Sequence, residues 1–220
     1  MQFNIIGTGS SGNCFLINDD LMIDAGMPYS KIKDKVQNVK YVLLTHIHGD
    51  HFNASTIRKL VVDVDPTFIC GDWLHDDVLS IAYPESILVY KAGEVFDLGK
   101  YKISMVEAYH DVPNCGYRIM DNQGYKHFHI TDTNTLDGIE ANNYDSASIE
   151  CNHEISKARE LIDEAEKNGE FTHLKGAINS HLSVDKAIRF CKENHIKKLF
   201  PVHIGNSTKQ EVIEALKNFK

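Results

Sequence analysis

The stretch at residues 41–51 reads YVLLTHIHGDH, an apolar run that ends in three histidines and one aspartate. It constrains the chain more than any other stretch. A run of four apolar residues bounded by polar ones reads as a buried strand, and the polar cluster then falls where the strand gives way to a loop. His46 and His48 lie two apart, so on extended backbone their imidazoles share a direction. Two imidazoles facing one way suit a borderline cation such as zinc. Gly49 is expected to permit a sharp turn, after which Asp50 and His51 follow. One ion cannot take all four groups within so short a turn, whereas two ions can. A two-ion site needs further ligands and a bridging group.

Three later segments supply such groups at the ends of apolar runs: His110 in EAYHDV, Asp132 in HITDT and His203 in LFPVHIG. Strand ends are where a rigid scaffold presents functional side chains. The expected arrangement sets His46, His48 and His110 on one ion and Asp50, His51 and His203 on the other. Asp132 stands between them, because a carboxylate has two oxygens to share. Taken singly, His110 and His203 also read as structural hydrogen-bonding groups, and Asp132 as a turn cap.

The surrounding pattern predicts an αβ protein. In the first half QFNII, NCFLI, LMID, YVLLT, PTFIC, ILVY, EVFDLG and KISMVEAY read as strands, with a helix at 53–64 from the spacing of Ile57, Leu60, Val61 and Val64. In the second half CGYRIM and KHFHIT form a hairpin around DNQG, followed by the strand SASIEC. Apolar spacing predicts amphipathic helices at 154–168 and 184–194. The strand KKLFPV follows, and then a last helix opened by a Ser207–Gln210 capping box. Two packed sheets with helices outside is the layered solution to that order. His127 and His129 alternate with Phe128 and Ile130 and read as histidines on a half-exposed strand face.

The 220 residues suffice for one domain spanning 1–220 and built of two αβ halves. No stretch approaches the roughly 18 apolar residues of a membrane span, and the start MQFNIIGTG lacks the basic region of a secretory signal. Both observations favour the cytoplasm and argue against a membrane partner. The five cysteines are widely spaced and form no CxxC pair, so they read as reduced core residues. The net charge of −8 argues against a broad nucleic-acid platform but not against a short substrate held by metals.

Together, THIHGDH, the opening GTGSSGNCFLI with LMIDAG, His110, ITD at 130–132, SHLS at 180–183 and PVHIG at 201–205 resemble the metallo-β-lactamase fold, over nearly the whole chain. The resemblance implies a four-layer αβ/βα sandwich. It is nearest to the small bacterial and phage DNA 5′–3′ exonucleases and more distant to the tRNA 3′-processing endonucleases. It implies metal ligation by His46, His48, Asp50, His51, His110, Asp132 and His203, with Asp132 bridging. Two divalent ions are expected, zinc or manganese, with iron also compatible. A hydroxide between them would attack phosphorus, with Asp50 and His181 taking part in the chemistry. His181 matches the non-ligand histidine that assists at the phosphoryl group, although a hydrogen bond within the SHLS turn is its plainer reading. An aspartate at 132 favours phosphoesters, DNA foremost, over lactams. A small-molecule cyclic phosphodiesterase and a thioester or lactone hydrolase share the ligand set. Asp24, Thr45, Glu150 and His153 are candidates to orient ligands or line the substrate cleft, and Ser10 and Ser11 candidates for phosphate contact. The chain is too short for the large nucleic-acid-gripping insertion of some branches and shows no long protruding arm.

Overall fold

The computed structural model describes residues 1–217 and 219. The chain forms two compact units, Met1–Val95 and Phe96–Lys220. The first contains β1 (Phe3–Gly7), β2 (Cys14–Ile17), β3 (Leu21–Ile23), α1 (Tyr29–Ile32), β4 (Tyr41–Leu43), α2 (Ala54–Asp63), β5 (Thr67–Cys70), α3 (His75–Leu79) and β6 (Ile87–Val89). These strands make one six-stranded sheet in sequence order. The first three strands pair antiparallel and the rest parallel. Alternate strand residues Leu16, Met22, Val42 and Phe68 join Ile32, Ile57, Leu60 and Val78 in one core. Each such fully buried side chain contributes roughly 1.5–3 kcal/mol. The expected helix at 53–64 starts where Asn53 accepts a hydrogen bond from Thr56 N and so caps it.

Chain order in the second unit is β7 (Val95–Asp97), β8 (Tyr101–Ala108), β9 (Asn114–Asp121), β10 (Lys126–Ile130), β11 (Ser146–Glu150), α4 (Ile155–Asn168), α5 (Leu174–Ser180), α6 (Val184–Glu193), β12 (Leu199–Val202) and α7 (Lys209–Lys217). Its six-stranded sheet runs β12-β11-β10-β9-β8-β7. Phe128, Ile130, Ala147 and Ile149 pack against Val184, Ala187, Phe190 and Val212 of α6 and α7. Helices α4 and α5 share a smaller cluster of Ala158, Ile162 and Leu174. Glu154 caps α4 by accepting from Ser156 N and Lys157 N, and Gly169 ends it in the left-handed conformation.

Two expectations are corrected and one further helix appears. The final helix begins at Lys209, directly after Thr208 rather than Ser207. Ser207 is exposed, whereas Thr208 is buried and its hydroxyl accepts from Glu154 N. Helix α5 was not evident in the sequence, because it is short and carries Gly176, a poor helix former. His127 and His129 are not surface residues; both are fully buried. Strand β10 is an interior strand, paired antiparallel with β9 and parallel with β11. Serines on β11 meet the two rings: His127 Nδ1 and Nε2 lie 2.7 and 2.9 Å from the hydroxyls of Ser146 and Ser148, and His129 Nδ1 lies 2.7 Å from Ser148. Without such partners each buried polar group would cost roughly 2–7 kcal/mol.

Burial, reinforced by the neighbouring His129, pushes His127 well below its ordinary pKa, so the folded protein keeps it neutral. The unfolded chain takes up a proton near pH 6.5. The unfolded state therefore binds more protons below that pH, and stability falls as pH drops, at about 1.4 kcal/mol per unit from this group. Urea unfolding between pH 7.5 and 5 should show this loss. His127→Gln should be less stable at pH 7.5 but fall less steeply; an unchanged slope would mean that the folded protein protonates His127.

Candidate metal centre

Metal-ligand side chains gather in two clusters, one on each unit. In the first unit, β3 runs on through Asp24, Ala25 and Gly26 alongside the histidine-rich turn. Ala25 N donates to His51 O at 2.9 Å, and Asn53 N donates to Ala25 O at 3.2 Å. The approach is so close that a Cβ on Gly26 would fall 1.7 Å from the Asp50 carbonyl oxygen, so only glycine fits there. Gly49, by contrast, has open space around it and no positive φ. It is not the hinge of the turn. The chain reverses because the amides of His51 and Phe52 both donate to the carbonyl of His48, at 2.8 and 2.7 Å.

Asp24 organises this cluster. It is fully buried and adopts a φ of +57° at the end of its strand. Its Oδ1 accepts from Thr45 N at 2.9 Å, and its carboxylate accepts the Thr45 hydroxyl. His51 Nδ1 lies 2.6 Å from Oδ2, and His46 Nδ1 lies 3.0 Å from the Thr45 hydroxyl. These partners assign the tautomers. His51 Nδ1–H donates to Asp24; the Thr45 proton goes to Asp24, so His46 Nδ1–H donates to Thr45 Oγ1. Both imidazoles keep a lone pair on Nε2, the atom a metal would take. The His46 ring centroid lies 4.9 Å from that of His48 and 4.3 Å from that of His51. Asn13 completes the turn, its amide group lying 3.2 Å from Asp50 Oδ2 and 2.7 Å from His51 Nε2. Ser10 and Ser11 are exposed on the same loop; the polar contacts to the turn come from Asn13.

In the second unit, Asp132, Glu150, His181 and His203 each offer a ligand atom within 4.8 Å of the others. Asp132 and His203 stand at the ends of β10 and β12 with φ of +51° and +52°. Asn114 fixes the first by donating to the carbonyls of Thr131 and Asp132 at 3.0 and 2.7 Å, and Asn152 reaches the carbonyl of His203 at 3.3 Å. Glu150 is fully buried. Its Oε2 accepts from Thr133 N and Leu182 N, both at 3.1 Å. His181 Nδ1 and His203 Nδ1 lie 2.6 and 3.0 Å from its Oε1. Four hydrogen bonds fill the lone-pair sites of a carboxylate, so Glu150 orients imidazoles and leaves ligation to others. Burial works to raise the pKa of Glu150, but the hydrogen bonds from His181 and His203 outweigh it and hold the carboxyl below its ordinary value.

His181 is the most accessible member, with its side chain 20% exposed. Its ring lies 5.5 Å from that of His110 and 5.2 Å from that of His203. His110 itself faces Ser180 O through Nδ1 at 3.3 Å and Asp111 through Nε2 at 3.1 Å. His153 is buried and lines a cavity shared with His181. The donor set suits divalent ions: several imidazoles, two of them with Nε2 lone pairs, together with buried carboxylates.

The sequence reading missed the three asparagines, Asn13, Asn114 and Asn152, all buried. Each adjoins an apolar strand, where asparagine is disfavoured; that placement was the available signal.

A sequence model described as "Beta-lactamase superfamily domain" matches residues 20–204. Among solved structures, the metallo-β-lactamase fold protein YhfI from Bacillus subtilis superposes with a TM-score of 0.77 at 17% identity, covering 99% of this chain and 92% of that one. The short form of human tRNase Z gives 0.68 at 16% identity, over 94% of this chain and 93% of that one. A ribonuclease Z from Thermosynechococcus vestitus is 24% identical over 115 residues, which is 46% of this chain and only 28% of the relative.

Removing the Asp24 carboxylate should loosen both imidazoles it orients. Asp24→Ala is expected to weaken metal binding about 10–100-fold, read by competition against a chromophoric chelator, with circular dichroism to verify folding. Wild-type affinity in a folded variant would reduce Asp24 to a structural strut.

Proposed function

Since the chain belongs to the β-lactamase superfamily domain family, whose fold is the αβ/βα sandwich, we propose that it is a two-metal phosphodiesterase, most directly a DNA 5′–3′ exonuclease or a related nuclease. On this reading His46, His48 and His110 would hold one ion and Asp50, His51 and His203 the other, with Asp132 shared between them. Three protein groups besides Asp132 on each ion would leave room for water and substrate. Zinc and manganese both suit this mixture of imidazole and carboxylate. A DNA substrate and a cytoplasmic setting belong to the same reading; the five free, buried thiols fit a reducing compartment. No helix among the described residues is long and apolar enough to cross a membrane.

The observation that carries the proposal is His181. It sits among the ligand rings but remains partly exposed, and its Nδ1 is tied to the buried Glu150 at 2.6 Å. Glu150 fixes the Nδ1–H tautomer and stabilises the imidazolium, as a buried carboxylate does for a catalytic histidine. Burial alone would lower the pKa of His181, but its hydrogen bond to Glu150 prevails and raises it. An imidazolium suits the developing charge on a phosphoryl group and can hand a proton to the departing oxygen. Bound divalent ions supply the positive charge that activates water and neutralises the non-bridging oxygens.

The test is a panel at fixed manganese or zinc: 5′-phosphorylated single- and double-stranded DNA, RNA, cyclic nucleotides and a thioester. DNA should be shortened from its 5′ end. Turnover of the thioester with every phosphodiester left intact would sink the proposal. Asp132→Ala should abolish activity and lower metal occupancy together. His181→Ala should cut kcat by about 10²–10⁴ while metal content stays at the wild-type value; parallel loss of metal would make His181 a ligand instead.

A further inference from the structure

Beside His181 the second unit encloses a cavity of about 470 Å³. Its walls come from α4, the end of α5 and the start of α6. The volume falls within the range of about 300–1,000 Å³ typical of small-ligand sites. Its charge is unlike that of the chain as a whole. Arg159, Lys186 and Arg189 line it against the single carboxylate of Asp185, in a protein whose net charge is −8. Lys186 Nζ donates to Asn134 O at 2.8 Å and keeps its other protons available. Arg159 and Arg189 make no salt bridge among the described residues and are exposed. Two free guanidiniums beside one ammonium suit a phosphate, which accepts forked hydrogen bonds.

Two further features point to an anion. Helix α6, ten residues long and capped by Ser183, begins at this cavity, with its partial positive end and unsatisfied amides. His153, only 2% exposed, also lines the cavity, and its Nδ1 has no hydrogen-bond partner among the described residues. A buried polar atom left this way is satisfied when a polar ligand takes its place nearby. Ile155 and Ile178 also line the cavity and offer apolar surface of the kind a sugar or base packs against.

We propose that this cavity is a nucleotide subsite. It seats the nucleotide next to the scissile bond, with that nucleotide's own phosphate held by Arg159, Lys186 and Arg189 and its sugar and base against Ile155 and Ile178. His181 belongs both to the cavity lining and to the ligand cluster, so a nucleotide seated here lies at the reacting end of the substrate. The inference rests on the phosphodiesterase reading and adds to it a nucleic-acid chain, rather than a small ester, as the natural substrate.

The test is calorimetric titration of the full-length, metal-loaded protein with deoxythymidine 5′-monophosphate, with inorganic phosphate and with thymidine. The nucleotide should bind more tightly than either part. Arg159→Glu with Arg189→Glu should weaken it at least about tenfold, and the neutral Gln pair by an intermediate amount, because each lost contact is charge-assisted. The reversed pair should also raise KM for a 5′-phosphorylated oligonucleotide about tenfold. Circular dichroism verifies the fold of both pairs, which alter exposed side chains only. Nucleotide binding no tighter than that of inorganic phosphate would place the anion at the metals alone and overturn the subsite. So would unchanged nucleotide affinity in the reversed pair. If the nucleotide binds and responds to both pairs while no phosphodiester is cleaved, the catalytic reading fails and the subsite stands. If DNA is cleaved with wild-type KM by the reversed pair, the subsite fails alone.

Discussion

A fully buried carboxylate in each unit governs the rest of the site. Asp24 takes two hydrogen bonds from Thr45 and one from His51. Glu150 takes two backbone amides and the Nδ1 atoms of His181 and His203. Neither faces solvent. An isolated buried carboxylate would shed its charge by taking up a proton. At Glu150 the hydrogen bonds from His181 and His203 outweigh burial and hold the carboxyl below its ordinary value, and both carboxylates settle which ring nitrogen of their histidines bears hydrogen. That choice fixes which nitrogen is left for a metal, since an imidazole with its proton on Nδ1 offers its Nε2 lone pair. The two carboxylates therefore act through the histidines, and each makes several ring orientations depend on one buried group.

The same economy appears in the backbone. Asp24, Asp132 and His203 all occupy the left-handed region, with φ of +57°, +51° and +52°. Such conformations cost of order 1–3 kcal/mol each for residues other than glycine. They occur at strand ends, where one left-handed residue swings the side chain out of the alternation of the sheet. Local clamps hold the strain: Leu43 O accepts from Asp24 N, Asn114 grips the carbonyls around Asp132, and Asn152 reaches the carbonyl of His203. Aspartate and histidine tolerate this region better than most residues, so ligand chemistry and backbone requirement coincide at these positions.

Much of this was legible in the sequence. Apolar runs located the strands, and the spacing of Ile57 and Leu60 located α2. The motif THIHGDH and the ligand-type residues at later strand ends fall among the groups that could hold a metal ion. What was not legible had physical causes. His127 and His129 looked exposed because alternation with Phe128 and Ile130 is the signature of a half-buried strand. A sequence cannot show that serines on the neighbouring strand make a second buried face tolerable. Gly49 looked essential because it sits inside the turn; the glycine that matters is Gly26, far away in sequence, against which the turn packs. The asparagines were overlooked because their amides act on backbone carbonyls and, for Asn13, on side chains distant in sequence, roles that leave no spacing rule behind.

Net charge says little about a single site. The sum of −8 is spread over 220 residues, and at physiological ionic strength a charge acts over a Debye length of about 8 Å. Helix α4 illustrates the scale. Glu160, Asp163, Glu164 and Glu166 give it an acidic cast, yet Arg159 on the same helix lines the cavity beside Arg189 and Lys186. An anion within that cavity meets Arg159, Lys186 and Arg189 beside Asp185, with the carboxylate of Glu150 behind the ring of His181. Low-dielectric walls strengthen the nearby terms further. A few cations around His181, and not the total, therefore describe the charge that a molecule in this cavity would meet.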